Sequence, residues 1–171
     1  MVSTQPSTGY DLKRRFATTS MGVYQPSSGA LYPALDRLER RGLIRSEPSL
    51  TEGGRPRRLY QLTEDGRQAH LGWVREPVVP ETVAQDLGLH LLRFVMMAHV
   101  LSPDAVLEFL VTLRSALAGF VASLEQSASA ADVTENPYAG LAVEHGLAVH
   151  RASLAWAEQA ITRVAADARQ R

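Results

Sequence analysis

The apolar positions of this chain form long helical stripes in its second half. From Val106 to Leu124, apolar residues recur at alternating spacings of four and three, and a second stripe of this kind runs from Val143 to Ala168. Seams with this spacing are typical of long helices that pack on each other or on a second copy of the chain. The second half is therefore predicted to be entirely helical.

The first half has a different sequence pattern, with short apolar stripes separated by Gly, Pro and Arg. A short stiff connector, Pro77–Pro80, lies between the two regions. We predict a first domain at 1–76 and a helical domain at 77–171. Within the helical domain, Pro103 and Pro137 each follow a capping residue and mark helix starts, while 127–134 is small and polar and is predicted to be a loop.

The pattern of the first domain predicts helix, turn and helix. Thr8 and Asp11 have the spacing of a capping box, so a helix is expected over 9–17. A second helix should begin at the Ser27-Ser28 pair and run to Arg41, where Gly42 ends it. The first helix should bury Leu12 and Phe16, and the second Leu31, Leu35 and Leu38.

A hairpin is expected after the second helix. Strands are predicted over 43–50 and 57–63, joined by a turn at 51–56. Period-two alternation turns Tyr60 and Leu62 toward the helices, with Arg58 on the same side. The fold class is therefore mainly α: a winged helix-turn-helix domain with a two-stranded wing, followed by an α-helical domain. In such a domain the second helix enters the DNA major groove.

Three ordered motifs carry a family resemblance. They are Thr8-Gly9-Tyr10-Asp11-Leu12, then Pro26-Ser27-Ser28-Gly29-Ala30-Leu31-Tyr32-Pro33-Ala34-Leu35-Asp36-Arg37-Leu38-Glu39, and Gly54-Arg55-Pro56-Arg57-Arg58-Leu59-Tyr60-Gln61-Leu62-Thr63. In these motifs the chain resembles the PadR family of bacterial transcriptional regulators, and its second half is similar in pattern to the virulence-activator alpha type of C-terminal domain. The resemblance implies a homodimeric regulator, commonly a repressor, which in some members is released by a small aromatic or drug-like ligand.

Relatives in that family carry an apolar helix directly before the Gly-Tyr motif, whereas here only Met1 to Ser7 precede Thr8. We expect either that translation begins upstream or that this core helix is absent. In the second case, apolar surface on Leu12, Leu35 and Leu38 should be exposed.

The sequence and the resemblance together nominate an interface with double-stranded DNA. The second helix turns its polar flank outward, and the hairpin tip gathers arginines that suit phosphates. The residues expected at or near the groove are Ser28, Gly29, Tyr32, Pro33, Arg37 and Arg40, and those expected to hold phosphates are Lys13, Arg14, Arg55, Arg57 and Arg58.

Charge and composition narrow the choice of function. The 171 residues carry no net charge and no cysteine, which removes disulfides and thiol chemistry. Split at Pro77, the chain has 12 Lys and Arg against 8 Asp and Glu before it, and 6 against 10 from it onward, so the basic half is the winged one. No apolar run of membrane-spanning length and no secretion signal is evident, so a cytoplasmic protein is expected.

Other classes of protein remain as alternatives. A winged helix can bind another protein without contacting DNA. No nucleophile elbow, phosphate loop or acid and base cluster indicates an enzyme, and no cofactor is expected. His145 and His150 diverge by about 140° on a helix and cannot chelate a metal from one turn.

Aromatic and Met side chains of the second domain could line an effector cavity, although plain core or dimer interface is the more common use of such side chains. From this group we select Phe94, Met97 and Trp156 as candidate ligand-binding residues.

Overall fold

The structure is a computed structural model that describes residues 6–18, 27–50, 54, 56–98, 100–130 and 137–169. The chain divides into two compact units. Met1–Arg75 is termed the winged unit and Glu76–Arg171 the helical unit.

The winged unit combines helices with a small antiparallel sheet. Its elements are β1 (Ser7–Thr8), α1 (Gly9–Thr18), α2 (Ser28–Arg40), β2 (Ile44–Leu50), β3 (Pro56–Leu62) and α3 (Glu64–Val74). Strand β3 is central, with β1 on one side and β2 on the other. The winged helix-turn-helix expected from the sequence is confirmed.

The third strand of the sheet was not expected, because the sequence predicted two. Ser7 pairs with Tyr60 and Thr8 with Leu59 in an antiparallel register. A strand of two residues has no room to express period-two alternation, so its sequence carries no strand signal.

The start of α1 is closed by reciprocal hydrogen bonds. The backbone N–H of Asp11 donates to Thr8 Oγ1 at 3.1 Å, and the backbone N–H of Thr8 donates to Asp11 Oδ2 at 3.2 Å. The predicted capping box is therefore confirmed. The hydrogen bond from the Thr8 hydroxyl, joined by the charges of Arg14 and Arg57, holds the pKa of Asp11 below its ordinary value.

Helix α2 has defined ends. Ser27 Oγ accepts from the N–H of Ala30 at 3.2 Å at the first turn. At the other end Gly42 has a φ of +70°, and the N–H of Leu43 donates to the carbonyl of Leu38. This is a Schellman arrangement, in which a left-handed glycine satisfies the last carbonyls of the helix. The helix stops at Arg40, one residue before the predicted end.

One apolar cluster forms the core of the winged unit. The expectation that Leu12 and Leu35 are exposed is wrong, because each is only 3% exposed. Helices α1 and α2 close over the sheet and cover both side chains, and Leu38 is partly buried beside them. The predicted burial of Phe16 lies outside the described side chains. The fully buried members of the cluster are Leu12, Leu31, Leu35, Ile44 and Tyr60.

The first turn of α3 packs tightly on the backbone between α2 and β2. Thr63 caps α3 by accepting from the N–H of Gly66 at 3.0 Å. A Cβ placed on Gly66 would lie 1.8 Å from the carbonyl oxygen of Leu43. This close backbone approach requires glycine.

The helical unit contains α4 (Pro80–Gln85), α5 (Leu87–Met97), α6 (Pro103–Ala130) and α7 (Pro137–Arg169). Both predicted helix starts, Pro103 and Pro137, are confirmed. The predicted loop is wrong over 127–130, where α6 continues because small residues such as Ala and Ser do not break a helix. The rest of that loop lies outside the described residues.

The two predicted seams meet within one chain. Helices α6 and α7 pack along each other, and α4 packs on α6. Leu110, Leu113 and Leu117 of α6 are completely buried, as is Ala157 of α7. Of the two expected uses of these seams, packing on each other is the one observed.

Helix α6 includes a stretch that is long and apolar enough to cross a membrane. Pro103–Ala128 contains a window with a mean hydropathy of 1.7, of which 33% is buried within the chain. The chain has no unbroken apolar run of that length, because Glu108 and Arg114 interrupt the helix, but its many Leu, Val and Ala residues raise the mean hydropathy of the window. Core helices of soluble proteins have the same composition, so this feature alone is weak grounds for a membrane segment.

A buried polar pair joins α4 to α5. The Thr82 hydroxyl donates to the carbonyl of Val79 at 2.8 Å and lies 2.9 Å from Nε2 of His90. Because that hydroxyl proton is already used, Thr82 accepts from a protonated Nε2. Burial, and then the charge of Arg93, lower the pKa of His90, which keeps the ring neutral.

Gly66 and Gly72, both in α3, provide a matched stability test. We expect Gly66→Ala to lower the melting temperature, because forcing a methyl into a filled space costs about 1–3 kcal/mol. Gly72→Ala should raise it slightly, by up to about 1 kcal/mol of stability, since no described atom lies within 4 Å of the added Cβ. Thermal unfolding by circular dichroism measures both variants, and equal shifts would contradict the close approach.

Candidate nucleic-acid interface

A cleft of about 890 Å³ opens in the winged unit between the start of α1, the exposed flank of α2 and the wing. We call it the winged cleft. Its lining includes Tyr10, Tyr32, Asp36, Arg57 and Arg58. It combines hydroxyl groups, cations and carboxylates with the rings of tyrosines and prolines on one surface.

The outward flank of α2 carries several of the residues nominated from the sequence. Pro33 lies inside the helix, which continues through it to Arg40. The Nε of Arg40 donates to the carbonyl of Asp36 at 3.4 Å, so this guanidinium lies along its own helix. The side chain of Ser28 is outside the described set. The nominated residues that α2 exposes are Gly29, Tyr32, Pro33, Arg37 and Arg40.

Tyr32 connects α2 to the start of α1. A Cβ placed on Gly9 would lie 2.7 Å from Cε1 of Tyr32 and 3.1 Å from its hydroxyl oxygen. The ring therefore rests against the glycine backbone, while 49% of the residue stays exposed. In this geometry the ring packs while its outer part faces the cleft.

The wing provides the second group of cations. Arg57 is exposed on β3, and its Nε donates to Ser49 Oγ at 3.3 Å across the hairpin. Gly54 turns the hairpin with a φ of +74°, in the left-handed region that glycine adopts without strain. Arg55 lies outside the described residues.

Arg58 is directed at α2. Its Nη2 donates to Glu39 Oε2 at 2.6 Å, and its Nη1 lies 3.6 Å from Asp36 Oδ1. Its guanidinium carbon lies 5.5 Å from the centre of the Tyr60 ring. The predicted placement of Arg58 on the helix-facing side of the wing is confirmed, and in that position it contacts carboxylates of the same unit.

Lys13 and Arg14 lie on the exposed side of α1. The charges of Arg14 and Arg57 both act on the Asp11 carboxyl, so cations from α1 and from the wing approach one carboxylate. Arg37, Arg40, Lys13 and Arg14 are not among the residues that line the winged cleft. The nominated cations are therefore spread over three elements of one unit.

Acidic residues also lie on this surface, and the sequence did not predict them there. Asp11, Asp36 and Glu39 each contact or neighbour one of the arginines expected to bind DNA. A signal was available, because Asp36 and Glu39 are one helical turn apart and Arg58 was expected to face the helices.

In the helical unit, two of the three candidate ligand residues meet. Phe94 and Trp156 form an edge-to-face pair with ring centres 5.5 Å apart and an angle of 85° between them. They line an apolar groove of about 450 Å³ between α5 and α7. Met97 is not part of that lining, because its side chain is only 1% exposed and lies in the core of the helical unit.

The histidines that the structure describes do not gather into a metal-binding cluster. Within the ranges that the structure describes, no group of three or more His, Asp or Glu side chains could hold a metal ion. His150 Nδ1 lies 2.8 Å from the carbonyl of Gly146, and its ring meets Phe120 edge to face with centres 4.7 Å apart. His150 is thus a packed, hydrogen-bonded residue of the α6–α7 seam.

A helix-turn-helix with a hairpin at its side and arginines on both defines a winged helix-turn-helix protein, here with an added helical unit. Residues 1–70 match the sequence profile of the Transcriptional regulator PadR-like family, and residues 91–165 match that of Virulence activator alpha C-term. The winged unit is therefore similar to the PadR-like transcriptional regulators.

Individual relatives are similar over shorter stretches. The chain is 50% identical over 46 residues to Transcriptional regulator Rv3488 of Mycobacterium tuberculosis (strain ATCC 25618 / H37Rv), which is 27% of this chain and 42% of that protein. It is 36% identical over 76 residues to Transcriptional regulator YqjI of Escherichia coli (strain K12), which is 44% of this chain and 33% of that protein. The chain thus spans less than half the length of either relative.

The crystal structure of Bacillus subtilis PadR in complex with operator DNA is similar at 19% identity, with a TM-score of 0.44, over 95% of this chain and 94% of that chain. The family and the matched relatives are transcriptional regulators rather than enzymes.

Proposed function

We propose that this chain binds specific sequences of double-stranded DNA as a homodimer and represses transcription from an inverted-repeat operator. The observation that carries the proposal is the placement of exposed arginines on both α2 and β3 of one winged unit, with the winged cleft between these elements. A surface that offers guanidinium groups from a helix and from a hairpin suits a duplex, whose groove and backbone lie side by side.

The two groups of arginines have different roles in this proposal. Arg37 and Arg40 on α2 face the major groove together with Ser28, Gly29, Tyr32 and Pro33, and Arg37 makes a bidentate contact to guanine. Of the remaining nominated cations, Lys13, Arg14, Arg55 and Arg57 would contact phosphates and give affinity with little base preference. Arg58 is instead held by Glu39 and Asp36.

The alternative is a winged unit that binds another protein. The carboxylates in the winged cleft favour it in one respect, since a surface of mixed sign suits a protein partner better than a uniformly cationic one. This alternative predicts binding that depends on the partner protein and no measurable affinity for duplexes.

Repression requires two copies that present α2 together, and the exposed face of α7 supplies a surface for that pairing. Leu141 is 60% exposed and Val149 42% exposed, and helical geometry places them within about 80° of each other. Tyr138, which is 74% exposed, lies between them on the same face. Burying these side chains against a second copy removes apolar area from water.

The groove of Phe94 and Trp156 is proposed as the effector site. Its volume of about 450 Å³ lies in the range of small-molecule sites, and its lining contains no charged side chain. These properties favour an uncharged planar aromatic molecule. The groove opens on the α7 face that also carries Val149, so a bound molecule would alter the pairing surface. We also place the protein in the cytoplasm, where it would meet chromosomal DNA.

Selection from randomised duplexes tests the DNA-binding proposal. The unmodified protein should enrich an inverted repeat whose half-sites are centred a multiple of about 10–10.5 base pairs apart. Arg37→Ala should relax the preference at one position per half-site, a loss of about 1–3 kcal/mol of discrimination. Arg57→Ala should weaken binding to all duplexes and reduce the slope of log affinity against log salt by about one.

Arg163→Ala, on α7, removes the same charge from the helical unit and is the control. An unmodified protein that binds no duplex at low salt would refute the proposal and favour the protein-binding alternative. Enrichment of single asymmetric sites would refute the two-fold arrangement alone.

Sedimentation tests the pairing surface. The unmodified chain should sediment as a dimer at micromolar concentration, and Leu141→Asp should shift it to monomer because a carboxylate would be buried without a partner. Val111→Asp, at a 46% exposed position on α6, is a matched change that should leave the dimer intact. A folded monomer of the unmodified chain would contradict this assignment.

Fluorescence of Trp156 tests the effector site in a Trp73→Phe background, which leaves one tryptophan. Titration with 2-naphthol, an uncharged aromatic probe, should change that fluorescence saturably. Ala152→Phe, which fills the groove without adding a tryptophan, should abolish the response, while Ala148→Phe, one turn away on α7, should retain it. A response that survives Ala152→Phe would place the site elsewhere.

A further inference from the structure

One carboxylate joins the helix of the winged cleft to both strands of the wing. Glu39, in the last turn of α2, accepts at Oε1 from the backbone N–H of Ser46 at 3.0 Å and from the Ser46 hydroxyl at 2.7 Å. At Oε2 it accepts from Arg58 Nη2 at 2.6 Å. Ser46 belongs to β2 and Arg58 to β3, so three elements converge on this side chain.

The hydrogen bonds among Glu39, Ser46 and Arg58 form a closed ring. Arg58 Nε donates to Ser46 Oγ at 3.0 Å, so the two partners of Glu39 also contact each other. Ser46 lies opposite Tyr60 in the β2–β3 register, two residues from Arg58 along β3. A closed set of hydrogen bonds allows fewer relative positions of its members than separate bonds would, because each bond limits the geometry of the others.

We propose that Glu39 is a positioning residue for DNA recognition: its contacts to Ser46 and Arg58 fix the wing relative to α2, so that both engage one duplex in a single register. This inference rests on the proposed DNA-binding function. In it, Arg58 acts through Glu39 and orients the wing, while Arg57 remains the arginine that reaches phosphate.

The charge of Glu39 makes the proposal sharply testable. A carboxylate beside a DNA-binding surface repels phosphates, so electrostatics alone predicts tighter binding when the charge is removed. Removal would also free Arg58 to contact DNA. A positioning role predicts the opposite sign, because a wing that is no longer fixed loses its phosphate contacts.

The hydrogen bonds from Ser46, together with the charge of Arg58, hold the pKa of Glu39 below its ordinary value. The carboxylate is therefore ionised at neutral pH, and Glu39→Gln removes a full charge while keeping the size of the side chain. The side chains of Glu39 and Arg58 are 29% and 52% exposed, so the variant should remain folded.

The experiment measures affinity for a 40-base-pair duplex of random sequence as a function of salt. We expect Glu39→Gln to weaken binding about five- to tenfold at fixed salt and to reduce the salt slope by about one, the loss of one phosphate contact. Glu64→Gln is the matched control, because it also removes one carboxylate charge that pairs with an arginine. Glu64 lies 2.8 Å from Arg67 within α3. This control variant should leave binding unchanged or slightly tighter.

A double-mutant cycle separates positioning from direct phosphate contact. If Arg58 acts through Glu39, Arg58→Gln should weaken binding in the unmodified protein and have little further effect in Glu39→Gln. Additive losses would mean that Arg58 contacts DNA independently. Unchanged or tighter binding by Glu39→Gln would overturn the proposal, whereas an unmodified protein that binds no duplex would overturn the DNA-binding function itself.

A measurement without DNA supports or refutes the local contact. The Ser46 amide proton should exchange with solvent about tenfold faster in Glu39→Ala, because it loses a charged hydrogen-bond acceptor. Glu64→Ala should not change its exchange. Equal exchange rates in the unmodified protein and Glu39→Ala would show that Glu39 does not fix β2.

Discussion

The burial of Tyr60 determines where the charges of the winged unit lie. Its ring is 3% exposed and packs with Leu12, Leu31 and Leu35, while its backbone lies between β1 and β2 in the sheet. Burial raises the pKa of its hydroxyl, as expected for a phenol in an apolar core. Because side chains alternate along a strand, this buried ring also directs Arg58, two residues earlier, toward α2.

That geometry explains why cations and carboxylates share one surface. Arg58 reaches Glu39 and Asp36 because the core holds β3 against α2. Asp11 is fixed in place by its hydrogen bonds with Thr8 at the start of α1. Fixed carboxylates lower the total attraction for a polyanion. They also make the remaining attraction depend on where each arginine lies, which favours specificity over general affinity.

Much of the fold was predictable because its signals are local. The caps at Thr8 and Ser27, the glycine at position 42 and the proline starts of α6 and α7 all act within one helical turn, and each was confirmed. The winged arrangement followed from their order. Strand β1 was missed because Ser7 and Thr8 are strand only through pairing with Leu59 and Tyr60, which is a tertiary effect.

The candidate site was less predictable, for the same reason. Outward residues of α2 could be found from helical phase, but the contacts of Glu39 join residues that are 7 and 19 positions apart. The different surroundings of Phe94 and Met97 could not be predicted, because composition does not show which face of α5 is covered. Phe94 and Met97 are both apolar, and only the packing of α5 in the helical unit separates groove from core.

The helical unit gives a further consequence of packing. Its two seams bury each other within one chain, so α6 and α7 form a core without a second copy. The side chains left exposed on α7, such as Leu141, lie on a different face and are not needed for that core. In the proposed homodimer, folding and pairing would therefore draw on separate residues. An equilibrium between copies could then shift with concentration or with a ligand while each helical unit keeps its own structure.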